Sequence, residues 1–180
     1  MRHLFAPIAL FLLGCFVVAG VWRGEPAKAA SNDIETQVSR FVSGILGYAR
    51  WPTLTGTYRF CMAGGVRHLR DAQSSLTETK NPVSVRQLAV DEADWTANCD
   101  VLYVGPAAPG QRGRLLAEAV GKPVLTISEG DNECVESSMF CLTLEGNEVG
   151  LIANLDAISR SGIRINPKVL QLVRRKQDKG

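Results

Sequence analysis

The sequence predicts an α/β fold in which a sheet of about five to six strands is flanked by helices and ends in an antiparallel hairpin. Two observations support this prediction. Short apolar segments alternate with more polar, helix-compatible segments through the middle of the chain, as in successive βαβ units. Near the carboxyl end, two apolar segments are separated by Gly146 and Asn147, which favour a tight hairpin turn.

The first elements are predicted from the spacing of apolar residues and from the glycine, proline and polar residues that bound each segment. Asn32 can cap a helix with Glu35 at the third helical position, and apolar residues then recur at helical spacing until Trp51-Pro52 ends the helix. Apolar runs bounded by glycine, proline or polar residues predict strands over residues 58–62, 83–88, 101–104 and 124–127. Helices are predicted between them over residues 66–72 and 111–120. This order of elements is Rossmann-like.

The last elements follow from turn and capping residues. The hairpin strands are predicted over residues 140–144 and 149–153. Asn154 can cap a short helix, and Asn166 can cap a final helix that has one apolar side. No repeat, long linker or low-complexity segment interrupts the series, so residues 30–180 are predicted to form a single α/β domain.

Residues 1–29 are predicted to be a signal peptide. Residues 4–21 are almost wholly apolar, and a small-residue site at 27–29 would permit cleavage before Ala30. Two alternatives stay open. Cys15 ends a lipoprotein-like box and could be acylated, or the apolar segment could stay as an uncleaved membrane anchor. All three hypotheses place the following domain outside the cytoplasm.

The predicted mature domain is electrically neutral. The whole chain has 20 basic and 18 acidic side chains, and three of the basic and one of the acidic residues lie within residues 1–29. Binding to nucleic acid normally needs a basic stripe that neutralises several phosphates. We therefore expect no nucleic acid partner.

Four cysteines follow the leader: Cys61, Cys99, Cys134 and Cys141. In an exported domain such cysteines are usually structural crosslinks, and a zinc site is not expected because the spacing lacks a C-x-x-C pair. If Cys134 and Cys141 join, the short loop between them could present Met139 and Phe140 to a partner protein. Alternatively, these two side chains begin the next strand and point into the core.

The sequence lacks the motifs of the common catalytic classes. It has no G-x-S-x-G elbow, no H-E-x-x-H helix, no Walker loop and no S-x-x-K pair. His68 lies beside Arg67 and Arg70, so we expect a solvated side chain. A hydrolase that uses Ser128 or Ser138 with His68 is the weakest hypothesis, because these residues fall in unrelated elements. We predict neither an enzyme nor a bound cofactor.

Charged residues in unusual surroundings give the remaining candidates. Arg50 and Arg164 lie among apolar neighbours and could hold an anion, stack on an aromatic ring or form ordinary surface ion pairs. One hypothesis for function is therefore a periplasmic carrier of a small aromatic or anionic molecule, with these arginines as ligand anchors. A group of carboxylates lacks the ligand pattern of a calcium loop, so a hydrated loop without metal is expected at Glu129, Asp131, Glu133 and Glu136.

Several segments, in this order, resemble the YfiR family. They are the helix end GYARWP at 47–52, the strand YRFC at 58–61 with Gly64-Gly65, the strand DVLYV at 100–104, and the endings NLDAI at 154–158 and SGIRI at 161–165. The resemblance covers nearly all of the predicted mature chain. It implies a periplasmic, non-enzymatic regulator that binds and restrains a membrane-bound diguanylate cyclase, YfiN, and is sequestered by the outer-membrane lipoprotein YfiB. Its output would be lower cyclic di-GMP and less biofilm.

The resemblance also implies a homodimer and two redox-sensitive disulfides. The implied pairs are Cys61 with Cys99 and Cys134 with Cys141, which would staple the α/β fold, and their reduction would release the restraint on the cyclase. A regulator needs exposed apolar anchors, so partner contacts are expected at Met139 and Phe140 in the small loop and at Ile158 near the carboxyl end.

Overall fold

The computed structural model describes residues 27–54, 56–108, 110–134 and 137–174, with side-chain surroundings from residue 33 to residue 172. The predicted signal peptide lies outside the described residues apart from residues 27–29, which are helical. Cys15 and the alternatives that depend on it also lie outside them. In the described part of the chain, no helix is long and apolar enough to cross a membrane.

The described residues form five α-helices and eight strands. The helices are α1 (Ala27–Tyr48), α2 (Ala72–Ser75), α3 (Gln111–Ala119), α4 (Leu155–Arg160) and α5 (Leu170–Arg174). The strands are β1 (Ala49–Arg50), β2 (Tyr58–Ala63), β3 (Val83–Gln87), β4 (Val101–Val104), β5 (Leu125–Glu129), β6 (Phe140–Glu145), β7 (Glu148–Ala153) and β8 (Arg164–Ile165). Short 3₁₀ turns cover Trp95–Ala97 and Pro167–Val169.

Six strands form the main sheet, in the order β3-β2-β4-β5-β6-β7. The first five are parallel, and β7 pairs antiparallel with β6. Numbered among themselves, the parallel strands have the order 2-1-3-4-5 of a doubly wound sheet. The strands β1 and β8 form a separate antiparallel ribbon. The predicted α/β sheet with flanking helices and a carboxy-terminal antiparallel pair is confirmed.

The core lies on both faces of the sheet, because successive side chains of a strand point to opposite faces. On β2 and β4, Phe60, Met62 and Tyr103 belong to the cluster that α1 covers. Cys61 and Leu102 belong to the cluster on the other face, which α3 covers. Strands that are buried on both faces are apolar throughout, which is why these two strands could be predicted from short apolar runs.

Two predicted helices differ from the structure. Asn32 does not cap α1, because the helix begins at Ala27 and Asn32 lies inside it. Residues 66–71 are not helical, and only the four residues of α2 follow them, with the Asp71 carboxylate accepting the Ser74 N–H at the start of the helix. The segment stays non-helical because it forms the loop that packs against the end of β4, as described below. The ribbon of β1 and β8 was not predicted.

The two predicted caps near the carboxyl end are confirmed. The Asn154 side chain accepts the Ala157 N–H at 3.1 Å and begins α4. The Asn166 side chain accepts the Lys168 N–H at 2.9 Å and begins the 3₁₀ turn that leads into α5.

Candidate functional site

Both cysteine pairs are joined in the structure, as the resemblance implied. Cys61 on β2 bonds to Cys99 just before β4, with a Cα–Cα distance of 5.8 Å, and both residues are buried on the α3 face. Cys134 bonds to Cys141 on β6, with a Cα–Cα distance of 5.6 Å. The predicted fold class, an α/β domain stapled by two disulfides, is therefore confirmed.

Asp131 ties the small disulfide loop to the rest of the domain. Its buried carboxylate accepts the Cys134 N–H at 2.9 Å and the Ser128 hydroxyl at 3.2 Å. Arg112 on α3 lies 3.8 Å from the same carboxylate and balances its charge. The loop is thus held to β5 and α3 by polar contacts as well as closed by its own sulfur bridge.

Met139 and Phe140 lie in the core. They are 2% and 0% exposed and belong to the cluster that α1 covers. The expectation that they are exposed anchors is wrong, and the alternative that they point into the core is confirmed. The physical reason is that helices cover both faces of the sheet, and these two side chains pack into the cluster on the α1 side. Ile158 is partly exposed on α4 and stays a candidate contact residue.

The place where a doubly wound sheet usually binds a ligand is closed in this domain. Such a site lies at the carboxyl ends of the strands where the strand order reverses, here between β2 and β4. The Gly65 N–H donates to the Pro106 carbonyl at 2.7 Å, and the Gly105 N–H donates to the Ala63 carbonyl at 3.0 Å. A Cβ on Gly105 would lie 2.6 Å from the nitrogen of Val66. The two loops therefore touch backbone to backbone and leave no cleft between them.

Next to this closed cleft, the carboxylate of Glu129 binds backbone N–H groups that could otherwise bind an anionic ligand. The side chain is wholly buried at the end of β5, and its carboxylate accepts the N–H groups of Arg67 at 3.0 Å and of His68 at 3.4 Å. The Tyr103 hydroxyl donates to it at 2.8 Å. Burial, the charge of Glu129 and this hydrogen bond all raise the pKa of Tyr103 well above its usual range. Successive N–H groups of the kind that bind phosphate are thus satisfied internally.

The structure divides the acidic group that the sequence predicted to be a hydrated loop. That prediction is wrong for Glu129 and Asp131, which are 0% and 4% exposed, because backbone N–H groups and hydroxyls satisfy both carboxylates. Glu133 is exposed, as predicted, whereas Glu136 lies outside the described residues. Within the described ranges, no group of three or more histidine, cysteine or acidic side chains could hold a metal ion.

Arg50 and Arg164 are brought together by the ribbon. They lie directly opposite each other on β1 and β8, and both are exposed. The Arg50 guanidinium donates to the carbonyls of Gly47 at 2.8 Å and Ala49 at 2.6 Å, so it also satisfies the carboxyl end of α1. Like charges directly opposite each other destabilise a strand pair. The ribbon therefore presents a concentration of positive charge that an anion would stabilise.

An aromatic pair lies beside this ribbon. The ring centroids of Trp51 and Tyr58 are 5.1 Å apart, and the Trp51 indole N–H donates to the Asp100 carbonyl at 3.2 Å. Burial raises the pKa of Tyr58 above its usual value, and the positive charge of Arg50 acts in the opposite direction. The field of Arg50 thus reaches the phenol, and aromatic surface and positive charge are neighbours here.

The arrangement expected of a hydrolase is not seen. Ser128 and Ser138 are both buried, the Ser128 hydroxyl donates to Asp131, and the Ser138 hydroxyl has no hydrogen-bond partner among the described residues. Where the structure describes the chain, no hydrogen bond joins either serine to His68. His68 contacts Glu129 through its backbone N–H.

The fold and site define a disulfide-stapled α/β domain whose usual ligand cleft is closed by its own backbone and by a buried carboxylate. A family model described as YfiR/HmsC-like matches residues 36–174. The chain belongs to this family, so the resemblance noted in the sequence is confirmed. The family comprises periplasmic, non-catalytic regulators of cyclic di-GMP signalling, which gives the class of function for this chain.

Proposed function

We propose that this chain restrains a membrane-bound diguanylate cyclase of the YfiN type by binding its periplasmic portion, and so lowers cyclic di-GMP and biofilm formation. The family match over residues 36–174 carries the proposal. The closed cleft between β2 and β4 supports it, because a protein that acts on another protein needs a contact surface rather than a cleft. In this proposal the regulator is a homodimer, and an outer-membrane lipoprotein of the YfiB type sequesters it and frees the cyclase.

The contact surface that we propose is α4. Ile158 is partly exposed on this helix, Leu155 is 64% exposed, and no residue of α4 is fully buried. Large apolar side chains left in solvent are typical of a surface that a partner covers. Asp156 and Arg160 form an ion pair one turn apart on the same helix and supply a polar rim.

The small disulfide helps to position this helix. Asn154, the cap of α4, donates its own N–H to the Met139 carbonyl at 2.9 Å. Met139 lies two residues before Cys141, so the helix cap and the Cys134–Cys141 bond share one short segment. Reduction of that bond frees the segment and weakens the cap, so the binding surface loses its position. A regulator shifts its target only by a difference in affinity, and the reduced form would lose that difference.

Cyclic di-GMP measured in cells that contain the cyclase tests the proposal. Deletion of the gene should raise cyclic di-GMP, and complementation with the Leu155→Ser/Ile158→Ser variant should leave it raised. Val90→Ser is a matched control, because Val90 is a partly buried apolar residue packed on the α3 face, and it should restore repression. Unchanged cyclic di-GMP in the deletion strain would reject the function. Full repression by the α4 variant would reject the surface alone.

The redox part of the proposal has a direct measurement. The oxidised and the reduced protein are each used to capture the periplasmic portion of the cyclase from membrane extract. We expect capture by the oxidised form and a marked loss with the reduced form. Equal capture by both forms would reject redox control and leave the regulatory function standing.

A second candidate function is binding of a small aromatic or anionic molecule at Arg50 and Arg164. The opposition of these arginines beside the rings of Trp51 and Tyr58 favours it. Equilibrium dialysis against periplasmic metabolites should show retention of one compound that the Arg50→Ala/Arg164→Ala variant fails to retain. Arg114→Ala, a change at an exposed arginine on α3, is the control and should retain it. No retained compound would reject this function.

A further inference from the structure

Two glutamines occupy the two open edges of the main sheet. Among the described strands, β3 and β7 are the edge strands, and each has a row of N–H and C=O groups that none of those strands pairs. Gln73 of α2 lies at the edge of β3, and Gln37 of α1 lies at the edge of β7. Both edges of the sheet therefore meet the side chain of a helix.

At the β3 edge, the Gln73 carboxamide forms the two bonds that a residue of another parallel strand would form. Its Nε2 donates to the Val83 carbonyl at 2.7 Å, and its Oε1 accepts the Val85 N–H at 3.2 Å. The Tyr58 N–H on β2 donates to the Pro82 carbonyl, so the groups of residues 83 and 85 are those that face away from β2. A primary amide has one donor and one acceptor side by side, as a peptide group does.

At the β7 edge, Gln37 repeats the same pattern. Its Nε2 donates at 3.0 Å to the carbonyl of Asn147, in the turn just before β7, and its Oε1 accepts the Val149 N–H at 3.2 Å. Asp33, one turn earlier on α1, accepts the same Nε2 at 3.0 Å and so fixes which way the amide points. The two helices are unrelated in sequence and lie at opposite edges, yet each glutamine bridges a C=O and an N–H two residues apart.

We propose that Gln37 and Gln73 act as strand mimics that close the sheet edges to another chain. An open edge is a template for pairing with an extended segment of a second molecule, and the regulator would otherwise expose two such edges. Each carboxamide withholds one C=O and one N–H from an incoming strand. The excluded partner is an extended segment of any chain, including a second copy of this one.

Amide hydrogen exchange on the full-length purified protein tests the bonds themselves. Gln73→Met and Gln37→Met keep the length of the side chain and remove its hydrogen bonds. Because a hydrogen bond of this kind has a net value near 1 kcal/mol, the Val85 N–H should exchange about threefold to tenfold faster in the first variant, and the Val149 N–H in the second. Gln171→Met, at an exposed glutamine of α5, is the control and should change neither rate. Unchanged rates in both edge variants would overturn the proposal.

Light scattering against protein concentration tests the consequence. The Gln37→Met/Gln73→Met variant should form assemblies larger than the proposed homodimer at concentrations where the wild type and the Gln171→Met control do not, with circular dichroism confirming that each is folded. In the Gln37→Glu/Gln73→Glu variant the amide donors are lost and a charge stands at each edge, but a carboxylate oxygen still accepts the Val85 and Val149 N–H groups, so exchange should stay slow and no further assembly should occur. If the double methionine variant scatters as the wild type does, the edges need no closure and the proposal is overturned.

Discussion

The buried carboxylate of Glu129 should be one of the most sensitive single positions for stability. Glu129→Gln keeps the shape of the side chain and replaces one acceptor oxygen by an NH₂ group. If the remaining oxygen still accepts the Tyr103 hydroxyl and the His68 N–H, the new NH₂ group faces the Arg67 N–H. In the wild type the Arg67 nitrogen lies 3.0 Å from the carboxylate oxygen that the NH₂ group replaces. Two donors then point at each other in a fully buried site.

The expected cost follows from the bonds that are lost. A hydrogen bond to a charged group contributes about 1.5 to 3 kcal/mol, and an unsatisfied buried donor costs about 1 to 3 kcal/mol. Because these terms overlap for one N–H group, we expect Glu129→Gln to lower the free energy of unfolding by about 3 kcal/mol. For a domain of this length, that corresponds to a fall in Tm of roughly 6 to 12 °C.

Urea unfolding of the oxidised protein at neutral pH measures this change. Glu133→Gln, an exposed residue in the following loop, is the matched control and should stay within about 0.5 kcal/mol of the wild type. Tyr103→Phe removes only one of the donors to Glu129 and should cost about 1.5 to 2 kcal/mol, less than Glu129→Gln, because no unsatisfied donor is left. A loss below about 1 kcal/mol for Glu129→Gln would refute the reasoning, because the three donors would then not depend on the negative charge.

Two further predictions concern the disulfides and the alkaline limit of stability. Replacing Cys61 and Cys99 by serine should lower the free energy of unfolding by about 4 kcal/mol, whereas the same change at Cys134 and Cys141 should lower it by about 2.5 kcal/mol. The first effect is larger because the first pair closes the longer loop. Urea unfolding that gives the reverse order would contradict this account. The pKa of Tyr103 is raised in the folded state, so the stability it contributes is complete below the ordinary tyrosine pKa of about 10 and is lost as pH rises toward the raised value. Unfolding measured from pH 8 upward should therefore show a fall above about pH 10 that Tyr103→Phe reduces; an unchanged slope in that variant would count against it.

The strands could be predicted from the sequence because their signals are local. The central strands are apolar on both faces, and glycines such as Gly105 and Gly121 lie in the segments between them. The positions of these strands therefore follow from short apolar runs and the glycines that separate them. Both asparagine caps near the carboxyl end could be predicted for the same reason, since a cap depends on residues within one turn. The family resemblance rested on these same segments.

What the sequence could not show is which polar residues meet across the fold. Glu129 and Asp131 occur in a polar segment and suggest a hydrated loop, and only the packing of the loop after β2 brings the N–H of Arg67 to Glu129. A helix was predicted over residues 66–72 because the composition permits one, but tertiary contacts with the end of β4 outweigh that weak preference.

The candidate contact residues show the same limit. Met139 and Phe140 lie between two disulfide-bonded cysteines, and their exposure depends on whether a helix covers the face of the sheet on which they lie, which local sequence does not determine. Arg50 and Arg164 were singled out separately by their apolar neighbours. Their direct opposition could not be predicted, because a ribbon of two-residue strands has no periodic signal.

The close approach of backbone at Gly105 bears on how domains of this architecture diversify. A single methyl group at that position would lie 2.6 Å from a neighbouring backbone atom. Even the smallest side chain would therefore force the two loops apart. A relative with alanine or a larger residue at the corresponding position would have to hold its loops apart and would gain a cavity there. One codon can thus decide whether the two loops of such a domain pack closed or stand apart around a cavity.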